Sequence, residues 1–137
     1  MTPRILACLL VALAAATTAR ADLEAGAATA LREWQPLAEM YAKGLGIPRD
    51  DIEALHWYRR AAERGHAASQ YNVGLFYAVG RGVAPSEVQA AAWITVAEEN
   101  GAEQTDLLPA LSKHMSAEQL KEAARLADIV RRQCRVD

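Results

Sequence analysis

Three histidines, His56, His66 and His114, are the residues here best suited to proton transfer or metal ligation. A zinc site or a general base needs a second ligand or an orienting carboxylate at a defined step along the same element. None of the three has a second histidine at such a step. His56 falls beside an apolar stripe on the wet face of a helix, and His66 follows a glycine that ends a helix. Ser69, Ser86, Ser112 and Ser116 lie outside any Gly-x-Ser-x-Gly elbow or Ser-x-x-Lys pattern. Gly44-Leu-Gly46 and Gly80-Arg-Gly82 follow helices rather than strands and lack the partners of a phosphate-cradling loop. Asp50-Asp51 is followed by Glu53, Ala54 and Leu55, which breaks the alternation of a calcium loop. These residues predict no catalytic residue, no metal and no cofactor, so the elements that carry them must supply the function.

The first 21 residues form a segment of their own. Arg4 precedes the apolar run from Ile5 to Ala16, and Ala19-Arg20-Ala21 offers the small-x-small pattern of a signal-peptidase site. The run is shorter than the roughly 20 apolar residues a membrane helix needs. The expectation is a signal peptide over residues 1–21, export to the periplasm or beyond, and no membrane span after cleavage. Cleavage removes two arginines and no acid, leaving 13 basic and 17 acidic residues, a net of −4. Such a chain lacks the electrostatic footprint for nucleic acid. Cys8 departs with the leader. Cys134, then alone, reads as incidental to a frayed C-terminus, the alternative being intermolecular pairing or a reactive thiol.

A shift of 36 residues lays Met40–Gly65 on Phe76–Gly101 without a gap. Identical pairs are Tyr41/Tyr77, Gly44/Gly80, Gly46/Gly82, Ala54/Ala90, Trp57/Trp93, Ala61/Ala97 and Gly65/Gly101, with Ala42/Ala78 and Glu63/Glu99 beside them. Each unit is a helix, a glycine loop, a second helix and a glycine stop. Asp50…Glu53 and Ser86…Gln89 have the spacing of capping boxes. Ala54, Trp57, Tyr58 and Ala61, and again Ala90, Trp93, Ile94 and Ala97, make a buried stripe at helical spacing. Gly74 within a helix implies a neighbouring helix passing close, with Trp or Tyr filling the space. Trp57 and Trp93 are expected in equivalent buried places.

Ala67-Ala-Ser-Gln-Tyr-Asn-Val-Gly-Leu-Phe-Tyr-Ala-Val-Gly-Arg-Gly-Val83, with Ala90, Trp93, Ala97 and Gly101, resembles the Sel-one-like repeat family, relatives of the tetratricopeptide repeats. Trp57-Tyr58-Arg59-Arg60-Ala61-Ala62 matches the second helix of that pattern. The resemblance covers about 60 residues and implies an all-α fold, a short α-solenoid of antiparallel helical hairpins with helical caps. It also implies an exported bacterial protein that binds a protein or peptide partner. Family members linked to β-lactam binding carry paired cysteines in every repeat, which are missing here.

The expected organisation is an atypical N-terminal cap over 22–39, a first, partial repeat over 40–65, a second over 66–101 and a C-terminal helical cap over 102–137. Pro36 should bend or split the first helix. Pro109 should interrupt or end early a helix over 102–113. Ser116-Ala-Glu-Gln119 is a third capping box, starting a helix whose inner stripe is Leu120, Ala123, Ala124, Ala127 and Val130. The array closes its core with these caps or, alternatively, by pairing with a second copy as a homodimer. Stacked hairpins present a groove, and Tyr71, Asn72 and Leu75, off the core stripe, are the candidate partner-binding residues. The leading expectation is a non-catalytic adaptor. The alternatives are a cell-wall-ligand binder or envelope enzyme of the same family, and a degenerate remnant.

Overall fold

The structure, a computed structural model, describes residues 25–26 and 32–134. The expected signal peptide therefore lies outside the described residues, as does most of the N-terminal cap before residue 32. Leu31–Asp137 makes up one compact unit. Its described part is built from helices, with no strand among the described residues: α1 (residues 32–43), α2 (Asp51–Glu63), α3 (Ala67–Val79), α4 (Glu87–Glu99), α5 (Leu107–His114) and α6 (Ala117–Gln133). α2 packs on α3, α3 on α4, and α4 also on α5 and α6.

The 36-residue echo extends to the backbone. The amide of Asp50 donates to Tyr41 O at 3.0 Å and that of Ser86 to Tyr77 O at 2.9 Å, so each loop is tied back to the helix before it at the same place. Leu45 N→Met40 O and Arg81 N→Phe76 O repeat, as do His66 N→Ala61 O and Ala102 N→Ala97 O. Gly44 and Gly80 have φ of 69° and 74°, a left-handed turn that a Cβ would strain. α2, α3 and α4 are each 13 residues long, so successive helices can stack along their whole length.

Alanine makes the close stacking possible. Ala54, Ala61, Ala90 and Ala97 are all fully buried. Gly74 goes further: a Cβ there would lie 2.6 Å from Ile94 Cγ1 and 3.2 Å from Ala90 O. α4 therefore crosses α3 at glycine distance, and the residue filling the space is Ile94 rather than an aromatic. Gln70, fully buried, satisfies itself by donating to Ala62 O at 3.1 Å and accepting from Asn100 Nδ2 at 2.9 Å.

Trp57 and Trp93 each occupy the seventh position of a 13-residue helix. Their surroundings differ. α4 is enclosed by α3, α5 and α6, leaving Trp93 2% exposed, whereas Trp57 is only half-buried.

Several local expectations need correction. The described part of α1 is not split at Pro36, whose ring lies on the exposed side while Ala38 and Ala42 hold the helix to the core. α5 begins at Leu107, so Pro109 sits in its first turn, where a missing N–H breaks no helical bond. Asp50 accepts from the amides of Ile52 and Glu53, and Ser86 from Gln89, without the reciprocal bond. The full capping box forms only at Ser116 and Gln119. In α6 the buried stripe is Ala123, Ala127 and Val130, while Leu120 is 41% exposed and Ala124 is exposed. Cys134 is buried in the core as the C-cap of α6, not an incidental residue of a frayed end.

Candidate functional site

The residues with chemical potential are spent on structure. His66 caps α3: its Nδ1 accepts from the Ser69 amide at 3.3 Å and lies 2.6 Å from the Ser69 hydroxyl. The spacing of His66 and Ser69 is that of an N-cap and its third residue, a signal present in the sequence. Ser86 and Ser116 cap helices, and the Ser112 hydroxyl donates to Leu108 O at 2.8 Å. His114 is exposed in the last turn of α5, and His56 is exposed with its ring edge-on to Trp57 at 5.2 Å. Among the described residues no group of three His, Cys, Asp or Glu could hold a metal ion. Burial pushes the Cys134 thiol above its ordinary range.

What remains is surface shape. The first helices of the two hairpins, α1 and α3, border a groove of about 390 Å³. Ala42 and Lys43 form one wall, Asn72, Leu75 and Val79 the other, and Tyr58 and Phe76 the floor. Tyr58 and Phe76 meet edge to face at 5.6 Å. Burial pushes the Tyr58 hydroxyl up to about 12, so the floor stays neutral. Val79 is 66% exposed at the rim, an apolar side chain in water on a helix otherwise well packed.

Arg81 closes one end. Its Nη2 donates to Asp51 Oδ1 at 2.6 Å and to Ala42 O at 2.8 Å, and its guanidinium lies 4.5 Å from the Phe76 ring centre. The loop of the second hairpin is thus bound to both helices of the first. The side-chain bonds from Arg81 and Arg49, opposed by partial burial, hold the Asp51 carboxyl down at about 2. No sequence pattern signals this pair, because periodicity within a helix carries nothing about a partner 30 residues away.

Tyr71, Asn72 and Leu75, all half-buried, do not share one surface. Leu75 and Asn72 line the α1–α3 groove. Tyr71 points to the other side of α3, its hydroxyl 3.1 Å from Thr105 Oγ1, in a shallow pocket with Ala102 and Glu103. Asn72 borders both. On the opposite face of the first hairpin, Trp34, His56, Arg59, Arg60, Glu63 and Arg64 line a cleft of about 410 Å³.

Comparison with known proteins accounts for this architecture. The family model described as Sel1 repeat matches residues 37–66 and 67–101. The first match begins three residues before Met40, within α1. Among solved structures, the crystal structure of a protective antigen present in uropathogenic Escherichia coli strains, displaying an SLR fold, superposes with a TM-score of 0.70. Sequence identity is 31%, over 73% of this chain and 22% of that one. The chain thus spans less than a quarter of the antigen's length. No curated protein matches it.

Proposed function

This chain is a Sel1-like repeat protein, and from that premise we propose that it is an exported scaffold that holds a protein partner in the groove between α1 and α3. Repeats of this kind are generally protein-interaction scaffolds. The observation that carries it is the groove itself. An apolar floor of Tyr58 and Phe76 is set between two helices whose spacing is locked by the Arg81 contacts, with Leu75 and Val79 at its rim. A preformed, partly apolar trough accepts a side chain without reorganising, which lowers the cost of binding.

Export rests on the leader pattern ending in Ala19-Arg20-Ala21. Mass spectrometry of the envelope fraction is expected to find a chain beginning at Asp22. An uncleaved chain confined to the cytoplasm would remove that part of the reading.

The groove is tested by cross-linking in envelope extract, comparing wild type with Leu75→Glu and Val79→Glu. These carboxylates would face the apolar floor without disturbing the core. A partner recovered by wild type and lost by both variants is the expected result. Equal recovery by all three excludes the groove.

A further inference from the structure

A second surface lies outside the α1–α3 groove. Along α2 and its C-cap, His56, Arg60 and Arg64 follow one another at intervals of four residues, with Arg59 alongside, and together with Trp34 of α1 and Glu63 they line the cleft of about 410 Å³. Arg60 is held there by two indoles, its guanidinium carbon 5.1 Å from the Trp34 ring centre and 5.8 Å from that of Trp57. A guanidinium lying over aromatic faces keeps its N–H edge free for an oxyanion.

These cations are unspent. Arg49, Arg81, Arg125 and Arg131 each hold a carboxylate. Among the described residues, Arg59, Arg60 and Arg64 have no ion pair or hydrogen bond from their side chains. In a chain of formal net charge −2, three such arginines around one Glu63 are a local concentration of positive charge. The second repeat does not share it: Thr95, Val96 and Asn100 stand at the equivalent places, and Gln70 stands where the first has Trp34.

We propose that this cleft binds an acidic segment of a protein partner, its carboxylates on Arg59, Arg60 and Arg64 and an apolar side chain against Trp34; this rests on the scaffold reading above. The spacing favours a segment over a single anion. Arg60 and Arg64 are about 6 Å apart along the helix, close to the roughly 6.7 Å between alternate side chains of an extended chain.

The test is fluorescence polarisation on the intact chain with a labelled octapeptide carrying Glu at alternate positions around a leucine. Its Gln counterpart, inorganic phosphate and phosphatidylglycerol vesicles are the comparison probes. The Glu peptide should bind, weaken as salt is raised, and lose at least about tenfold in affinity in the Arg59→Gln, Arg60→Gln, Arg64→Gln triple variant. Arg125→Gln, on the exposed face of α6, should change nothing, and circular dichroism should show equal helix content in all chains. Equal binding of the Glu and Gln peptides, no loss in the triple variant, or a response confined to phosphate or vesicles overturns the proposal. If the peptide fails while partner capture still depends on Leu75 and Val79, only the cleft falls; the converse removes only the groove.

Discussion

Arg81 and Asp51 are 30 residues apart and joined at 2.6 Å, and through them the loop of the second hairpin grips the start of α2. The Asp51 carboxyl is held at about 2, below the ordinary aspartate value of about 4. A depressed carboxyl pKa stabilises the fold above the unfolded value, and the benefit is lost as pH falls through the folded one. Asp51→Asn should therefore cost about 1 kcal/mol at neutral pH, a figure reduced for side chains that are a quarter to a third exposed. The gap between wild-type and variant urea midpoints should narrow as pH is lowered from about 4 toward 2. A gap independent of pH would mean that the ion pair contributes nothing.

Gly74→Ala sets two effects against each other. Alanine gains about 1 kcal/mol in helix propensity. Its methyl, however, would stand 2.6 Å from Ile94 Cγ1, and Ile94 is fully buried and cannot swing away. Overpacking of this kind costs about 1–3 kcal/mol, so the net effect should be a loss. Thermal melting of the Ile94→Ala double-mutant cycle should show the glycine substitution becoming cheaper once the isoleucine is gone.

Gly46 and Gly82 are repeat equivalents with φ of 77° and 66°, and both substitutions to alanine carry the left-handed penalty of about 1–2 kcal/mol. Only Gly82 has a neighbour at clash distance, Asp51 O at 2.4 Å from a built Cβ, whereas nothing lies within 4 Å at Gly46. Gly82→Ala should lower the melting temperature more than Gly46→Ala. Equal losses would show that the close approach relaxes freely.

Cys134 is 8% exposed, and burial raises its thiol pKa. In a Cys8→Ser chain, a thiol reagent at neutral pH should react slowly with the native protein and rapidly after denaturation. Fast reaction in the native state would show that the end of α6 opens.

The hairpins, their glycine stops and the alanine stripe were legible because each is written within one repeat. A 3.6-residue period and a small residue at each crossing suffice to state which face goes inward. Contacts between residues distant in sequence were not, since Arg81–Asp51 and Gln70–Asn100 each join residues 30 apart. The faces of α6 differ from the expected stripe at Leu120 and Ala124 for a related reason. A pattern shows how wide an apolar stripe is, but the partner helix decides how much of it is covered, and in α6 burial reaches only Ala123, Ala127 and Val130. The candidate site was half legible. Asn72 and Leu75 do line the groove, while Tyr71 faces Thr105, and the arginine cleft with Trp34 draws its residues from two helices, which no single-helix period can reveal.

The backbone bonds that recur from Asp50–Tyr41 to Ser86–Tyr77 are made by groups every residue but proline owns, whatever its side chain. Substitutions along the outer rows of α2 and α3 therefore leave the frame undisturbed while rewriting what it presents. Recognition in such a molecule can drift quickly on an architecture that changes slowly. Two chains of this build can differ at every docking residue and still be superimposable.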